Sequence, residues 1–175
     1  MRILSVDDDD DNLLLVARMA QSRNHEVVSA HNGIAALEQL NAGAFDLIIS
    51  DILMPEMDGF RLCRAVKIDA RFMNIPFVFY TATYTAKEDE ELAVALGASR
   101  FVVKPAGRDE FLATIEEVVN EGVAGNIPVT AAHPDEGGTS LLYNERLVRK
   151  LERKLEQLEG ARAELYRSEE QLRLM

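Results

Sequence analysis

Residues 46–60 read DLIISDILMPEMDGF. The apolar run that opens this stretch is short and rich in isoleucine, the signature of a strand buried on both faces. It stops at Asp51, Pro55 marks a turn, and Asp58-Gly59 marks the start of a helix. A strand is thus expected to hand the chain to a helix through a loop with a carboxylate at its mouth. Working outward, similar runs occur at 2–6 (RILSV), 26–30 (EVVSA), 76–81 (PFVFYT) and 100–103 (RFVV), so the five strand starts are separated by 24, 20, 30 and 24 residues. Between and after them, apolar positions return at intervals of three and four over Leu13–Arg23, Ile34–Asn41, Phe60–Lys67, Glu88–Leu96 and Glu110–Glu121. These segments are expected to be amphipathic helices. Strict alternation over about 121 residues leaves little room for hairpins, so an open α/β sheet of parallel strands, with right-handed crossovers and helices on both faces, is the expected class. The five units share a pattern but no residues, so they are not sequence repeats.

The texture changes after Glu121. GVAGNIPVTAAHPDEGGTS has glycine, proline and small residues without a sustained period, and is read as a linker over 122–139. From Ser140 the chain carries two heptad rows, Leu151, Leu158, Leu165 and Leu172 beside Leu141, Val148 and Leu155. Arg162 and Glu169 degrade the second row and Gly160 interrupts the helix formers, so the seam weakens toward its C-terminal part. A leucine seam of this length calls for a partner helix, and a parallel homodimer through residues 140–175 is expected. Lys154 and Glu159 would then form an attractive g-to-e pair, of little worth alone. The 36 residues from Ser140 would reach about 54 Å if helical throughout. The expected domains are therefore 1–121, a linker at 122–139, and a coiled-coil helix at 140–175 that runs on into a further domain.

Over the 175 residues, 30 acidic side chains face 19 basic ones, a net charge of −11 before histidine. Residues 140–175 hold eight basic and seven acidic side chains, leaving 11 against 23, or −12, for residues 1–139. That balance argues against a surface that attracts nucleic acid or anionic membrane, and no basic recognition element or helix-turn-helix is present. The one cysteine, Cys63, excludes an intramolecular disulfide or a cysteine-rich zinc site and fits a reducing, cytoplasmic setting. No run of about 18 apolar residues occurs, and the N-terminus lacks a secretory apolar stretch.

Chemistry in such sheets gathers beyond the carboxyl ends of the strands. Here those ends carry Asp7-Asp8, Asp51, Thr81 and Lys104-Pro105. Three carboxylates packed together without a cation would raise the pKa of at least one, whereas a hard divalent ion would stabilise all three as anions. Magnesium matches that set. Asp51 could then attack phosphorus in line, giving an aspartyl phosphate, with the Thr81 hydroxyl and the Lys104 ammonium donating to the phosphoryl oxygens.

SVDDD at the first strand end, SDILMPEMDGF around Asp51, YTA at 80–82 and FVVKP at 101–105 together resemble a response-regulator receiver domain of two-component signalling, over about residues 1–121. The resemblance implies a flavodoxin-like, doubly wound five-stranded parallel sheet of order 2-1-3-4-5, followed here by a long C-terminal α-helix. It implies Asp51 as phosphoacceptor. Asp8, Asp51 and the Leu53 backbone carbonyl would be ligands for Mg2+, with Mn2+ as a substitute and Asp7 acting through water. Thr81 and Lys104 would bind the phosphoryl group, and Phe101 would be the aromatic whose rotamer accompanies activation. Lys104-Pro105 matches a peptide bond commonly cis in receivers. The implied phosphoryl source is a sensor histidine kinase or phosphotransfer protein, and the responding surface is the fourth helix, fifth strand and fifth helix. The chain would be no enzyme beyond its own phosphorylation and dephosphorylation. SEEQLRLM at the end resembles the helix that leads into a PAS-type module.

Plainer readings stand beside these. Asp9 to Asp11 fit a solvated start to the first helix, favoured by its dipole. A calcium loop is excluded, since Asn12 stands where glycine is needed and Arg18 at the twelfth position. Thr83 and Thr85 compete with Thr81, but register at the strand end favours Thr81. Phe101 could be plain core, and Lys104 an ordinary surface lysine. Cys63, His25, His31 and His133 show no ligand spacing. A constitutive dimerisation module with a vestigial acidic site is the alternative function. An aspartyl phosphatase lacks its second acid, because Leu53 stands two residues after Asp51. No acid, amide or base is evident at Leu53 or Thr83 to activate water, which predicts slow self-dephosphorylation. The tail holds no histidine, so it cannot be a kinase phosphoacceptor helix, and any effector must lie downstream or on another chain.

Overall fold

A computed structural model of the chain describes residues 1–82 and 87–123. The elements run β1 (Arg2–Val6), α1 (Asp10–Gln21), β2 (Glu26–Ala30), α2 (Gly33–Ala42), β3 (Leu47–Ser50), α3 (Gly59–Ile68), β4 (Phe77–Thr81), α4 (Lys87–Ala95), β5 (Arg100–Val103) and α5 (Arg108–Val123). All five strands are parallel and lie in the order β2-β1-β3-β4-β5. The doubly wound architecture expected from the alternation and the resemblance is therefore present. Thr83, the stretch from residue 124 onward, and the seam residues Leu141, Val148, Leu151, Leu155, Leu158, Leu165 and Leu172 lie outside the described residues.

Alternation along the strands divides the core between two faces. Ile3, Leu47, Ile49, Val78 and Tyr80 turn to one face, where they pack with Val16, Met19 and Ala20 of α1 and Phe111, Leu112, Ile115 and Val118 of α5. The Tyr80 and Phe111 rings lie 4.7 Å apart, centroid to centroid. On the opposite face Phe79 meets Phe77 at 5.0 Å and Phe60 of α3 at 5.2 Å, edge to face in the second case. Phe77 and Phe79 are fully buried, and each contributes about 2–3 kcal/mol of transfer free energy.

All five described helices start one to three residues before the apolar periodicity, and in three of them a capping side chain accounts for it. Asp9, Asn32 and Asp58 are extended N-cap residues, and their side chains accept from the backbone N–H groups of Asp11, Ala35 and Arg61. Asp10 and Asp11 then complete the acidic first turn of α1, in the role expected of a solvated helix start. At the far end α5 runs to Val123, two residues past the expected stop.

Cys63 and Lys67 belong to the inner side of α3. Burial pushes the Cys63 thiol up to about 12, with Lys67 opposing the shift, so the thiol stays protonated and inert. The Lys67 ammonium donates to the backbone carbonyls of Met73 (3.0 Å) and Ile75 (2.8 Å), just before β4. Burial draws its pKa down, a shift that Cys63 partly opposes.

Candidate functional site

Register assembles the site. Val6 pairs with Ser50, and the next backbone hydrogen bond runs from the Asp51 N–H to the Val6 carbonyl at 2.8 Å. Asp7 and Asp51 therefore leave neighbouring strands side by side, although 44 residues separate them. On the other flank Thr81 pairs with Val103, and the Lys104 N–H donates to the Thr81 carbonyl at 2.8 Å. The Lys104-Pro105 peptide is cis, as the resemblance implies.

Carboxylate oxygens of Asp7, Asp8 and Asp51 all lie within 4.8 Å of one another. Asp8 is exposed, whereas Asp7 (5% exposed), Asp51 (8%) and Thr81 (0%) are buried. The Lys104 Nζ donates to Asp7 Oδ2 at 2.6 Å and lies 5.2 Å from the centre of the Tyr80 ring. Asp7 Oδ1 accepts from the Asp9 N–H at 2.9 Å and from Asn12 Nδ2 at 3.1 Å. Asp51 Oδ1, by contrast, is buried with no hydrogen-bond partner.

Burial raises the pKa of Asp51 above the usual aspartate value. The Lys104 charge, a hydrogen bond with the Thr81 side chain and one with the Ile52 backbone pull it back, and Asp7 adds a smaller upward push. The expected shift is present, but its main cause is desolvation and not the crowding of carboxylates. A divalent cation with oxygen ligands fits this donor set. It would give the unpartnered Asp51 oxygen a partner and offset the desolvation that disfavours the anion.

The loop after Asp51 is held at both ends. A Cβ on Gly59 would run into the Asp51 carbonyl oxygen, so only glycine lets α3 begin this close to the strand end. Glu56 adopts a left-handed conformation (φ 64°), which costs about 1–2 kcal/mol for a residue with a side chain. The surroundings over-determine it: Asn32 donates to its carboxylate, Arg61 to its carbonyl, and the Gly33 N–H to the carbonyl of Met57. A Cβ on Gly33 would meet the Met57 side chain at 2.5–2.9 Å, so the start of α2 is part of the seat for this loop.

Sequence reasoning named Asp7, Asp8, Asp51, Thr81 and Lys104, and the fold brings all five to one edge of the sheet. Leu53 is half-buried in the loop that follows Asp51. Phe101 is half-buried on β5, its ring 6.2 Å from that of Phe79. Asn12 and the Gly33–Met57 seat were not anticipated. Asn12 entered the sequence reading only as the residue that breaks a calcium loop.

Residues 3–116 match the response regulator receiver domain family. The chain belongs to that family. The response regulator PleD of Caulobacter vibrioides is 38% identical over 104 residues, covering 59% of this chain and 23% of that protein. A probable cyclic di-GMP phosphodiesterase of Vibrio cholerae serotype O1 is 36% identical over 103 residues, with the same two coverages. Among solved structures, the receiver superposes on the chemotaxis response regulator CheY4 of Vibrio cholerae with a TM-score of 0.63 and 33% identity, over 67% of this chain and 97% of that one. The matched part of the receiver chain thus spans about a quarter of the length of the two relatives. It is a receiver of two-component signalling, a module that is generally not itself a catalyst. Among the described residues, no helix is long and apolar enough to cross a membrane.

Proposed function

We propose that Asp51 is the phosphoacceptor of this receiver and takes its phosphoryl group from a sensor histidine kinase or phosphotransfer protein. The observation that carries the reading is the buried, partnerless Oδ1 of Asp51 within one cluster with Asp7 and Asp8, beside the Lys104 ammonium. In the reaction an Asp51 carboxylate oxygen forms the new O–P bond while the donor's bond to phosphorus breaks and its electron pair leaves with the donor. Asp8, Asp51 and the Leu53 backbone carbonyl would hold Mg2+, or Mn2+ in its place, with Asp7 acting through water. Once bound, the ion supplies positive charge where the phosphoryl oxygens gather negative charge.

The chain's own groups do the rest. Lys104 exchanges Asp7 for a phosphoryl oxygen, and the Thr81 hydroxyl donates to another. The new group brings about −1.5 to −2 charge, enough to draw Thr81 and Lys104 toward it and to bias Phe101 and the α4-β5-α5 face. Through α5 that bias would reach the C-terminal segment and regulate an attached or partner output, with residues 140–175 pairing as a parallel homodimer. The intact cluster does not favour a vestigial site in a constitutive dimerisation module. Incubation with Mg2+ and a small acyl phosphate should add one phosphoryl group, seen as a mass increase that Asp51→Asn abolishes. An adduct that survives that change would refute the assignment.

A further inference from the structure

Asp7 has more chain partners than any other carboxylate of the site. Oδ1 takes two donors, the Asp9 N–H and Asn12 Nδ2, and Oδ2 takes the Lys104 ammonium. Asn12 is the third residue of α1, the position from which a side chain often reaches back to the N-cap N–H. Here that N–H, belonging to Asp9, is already bound to Asp7, and Asn12 reaches past the cap to the same oxygen. The start of α1 is therefore wound around one carboxylate.

Two donors on Oδ1 fix the orientation of the carboxylate group, not only its position. One of them, the Asp9 N–H, is backbone and tied to the start of the helix. Among the described residues, Asn12 is the only side chain other than Lys104 that donates to this carboxylate. This matters because Lys104 is the partner that must leave Asp7 if it is to follow an incoming phosphoryl group.

We propose that Asn12 is a positioning residue for cation binding: its amide keeps Asp7 turned so that Oδ2 can be passed from Lys104 to a divalent cation or to the cation's water. The proposal rests on the reading of the acidic cluster given above. Without Asn12, Oδ1 keeps the Asp9 N–H alone, and a single donor leaves the carboxylate freer to turn with Lys104 when the cation arrives. Removal of an outer partner of this kind typically weakens metal affinity by 10- to 100-fold.

The test is Mn2+ binding to the unphosphorylated receiver, followed by electron paramagnetic resonance of the free ion. Asn12→Leu, similar in volume but without the donor, should raise the Mn2+ Kd about tenfold. Phosphorylation by acyl phosphate should then need correspondingly more Mg2+ to reach half its maximal rate. Asn12→Gln, which keeps an amide, should recover most of the affinity. An unchanged Kd in Asn12→Leu overturns the proposal. So does equal weakening in the Leu and Gln variants, or a lower Tm with parental affinity, which would mark Asn12 as a helix-start residue only. Should Asn12→Leu not fold, the side-chain amide resonances of Asn12 in the parent decide the matter: they should shift along the same Mg2+ binding curve as Asp8, and resonances that stay in place overturn the proposal. A parent that binds no divalent cation overturns the phosphoacceptor reading as well, whereas a binding parent beside an unaffected Asn12→Leu overturns this inference alone.

Discussion

Two lysines sit partly buried at opposite ends of the same sheet, and their partners differ in kind. At the amino ends of the strands, the Lys67 ammonium is held by two backbone carbonyls, those of Met73 and Ile75, while its stem packs beneath Gly97. At the carboxyl ends, Lys104 is held by one carboxylate oxygen of Asp7. Backbone carbonyls that lead into a strand cannot turn away. A carboxylate can change partners, and the cluster that holds Asp7 also holds an Asp51 oxygen with none. An ammonium with fixed partners stabilises one state. An ammonium with an exchangeable partner can serve two.

Replacing each lysine by methionine keeps the stem and removes the charge, which tests the contrast directly. Lys104→Met should slow phosphorylation by acyl phosphate about a hundredfold, the usual loss when one donor to developing charge is removed. A rate within a factor of two of the parent would place Lys104 with the structural lysines. Lys67→Met should cost about 2 kcal/mol of stability in urea unfolding, because two part-buried carbonyls lose a charged donor, while the phosphorylation rate stays parental. Slower phosphorylation in Lys67→Met would break the contrast from the other side.

The smallest effect concerns Asp51 without divalent ions. Its carboxyl holds a proton in the folded chain at pH values where the unfolded chain has already lost it. Stability therefore falls as pH rises from the ordinary aspartate value through the raised folded value, and stays lower above it. Asp51→Asn should remove that fall and be about 1 kcal/mol more stable than the parent at neutral pH, with the two unfolding curves converging in acid. Added Mg2+ should narrow the neutral-pH gap by stabilising the parent alone. Parallel curves across the whole pH range would mean that Asp51 is solvated and not held in the folded core.

All five strands could be read from the sequence to within a residue, because each is a short apolar run ended by polar chemistry. Helix starts were less legible. Apolar periodicity begins only after the capping residues Asp9, Asn32 and Asp58, so the pattern starts later than the helix. Asp7, Asp8, Asp51, Thr81 and Lys104 could be found because parallel strands deliver their ends to one edge, and position in the strand is a local property. Asn12 and Lys67 could not. An asparagine in the first turn and a lysine in the last turn of amphipathic helices look like solvated residues, and only the tertiary fold shows that one faces a carboxylate and the other a pair of carbonyls. The Gly33–Met57 seat was hidden for the same reason, since 24 residues separate its halves.

The close approach of Gly59 to the Asp51 carbonyl bears on how news of a reaction can travel. With no slack between the reactive strand end and the first turn of α3, that helix is an anvil and not a lever. Whatever recoils when Asp51 changes charge must lie on the far flank, where Lys104 holds a carboxylate oxygen that can change partners.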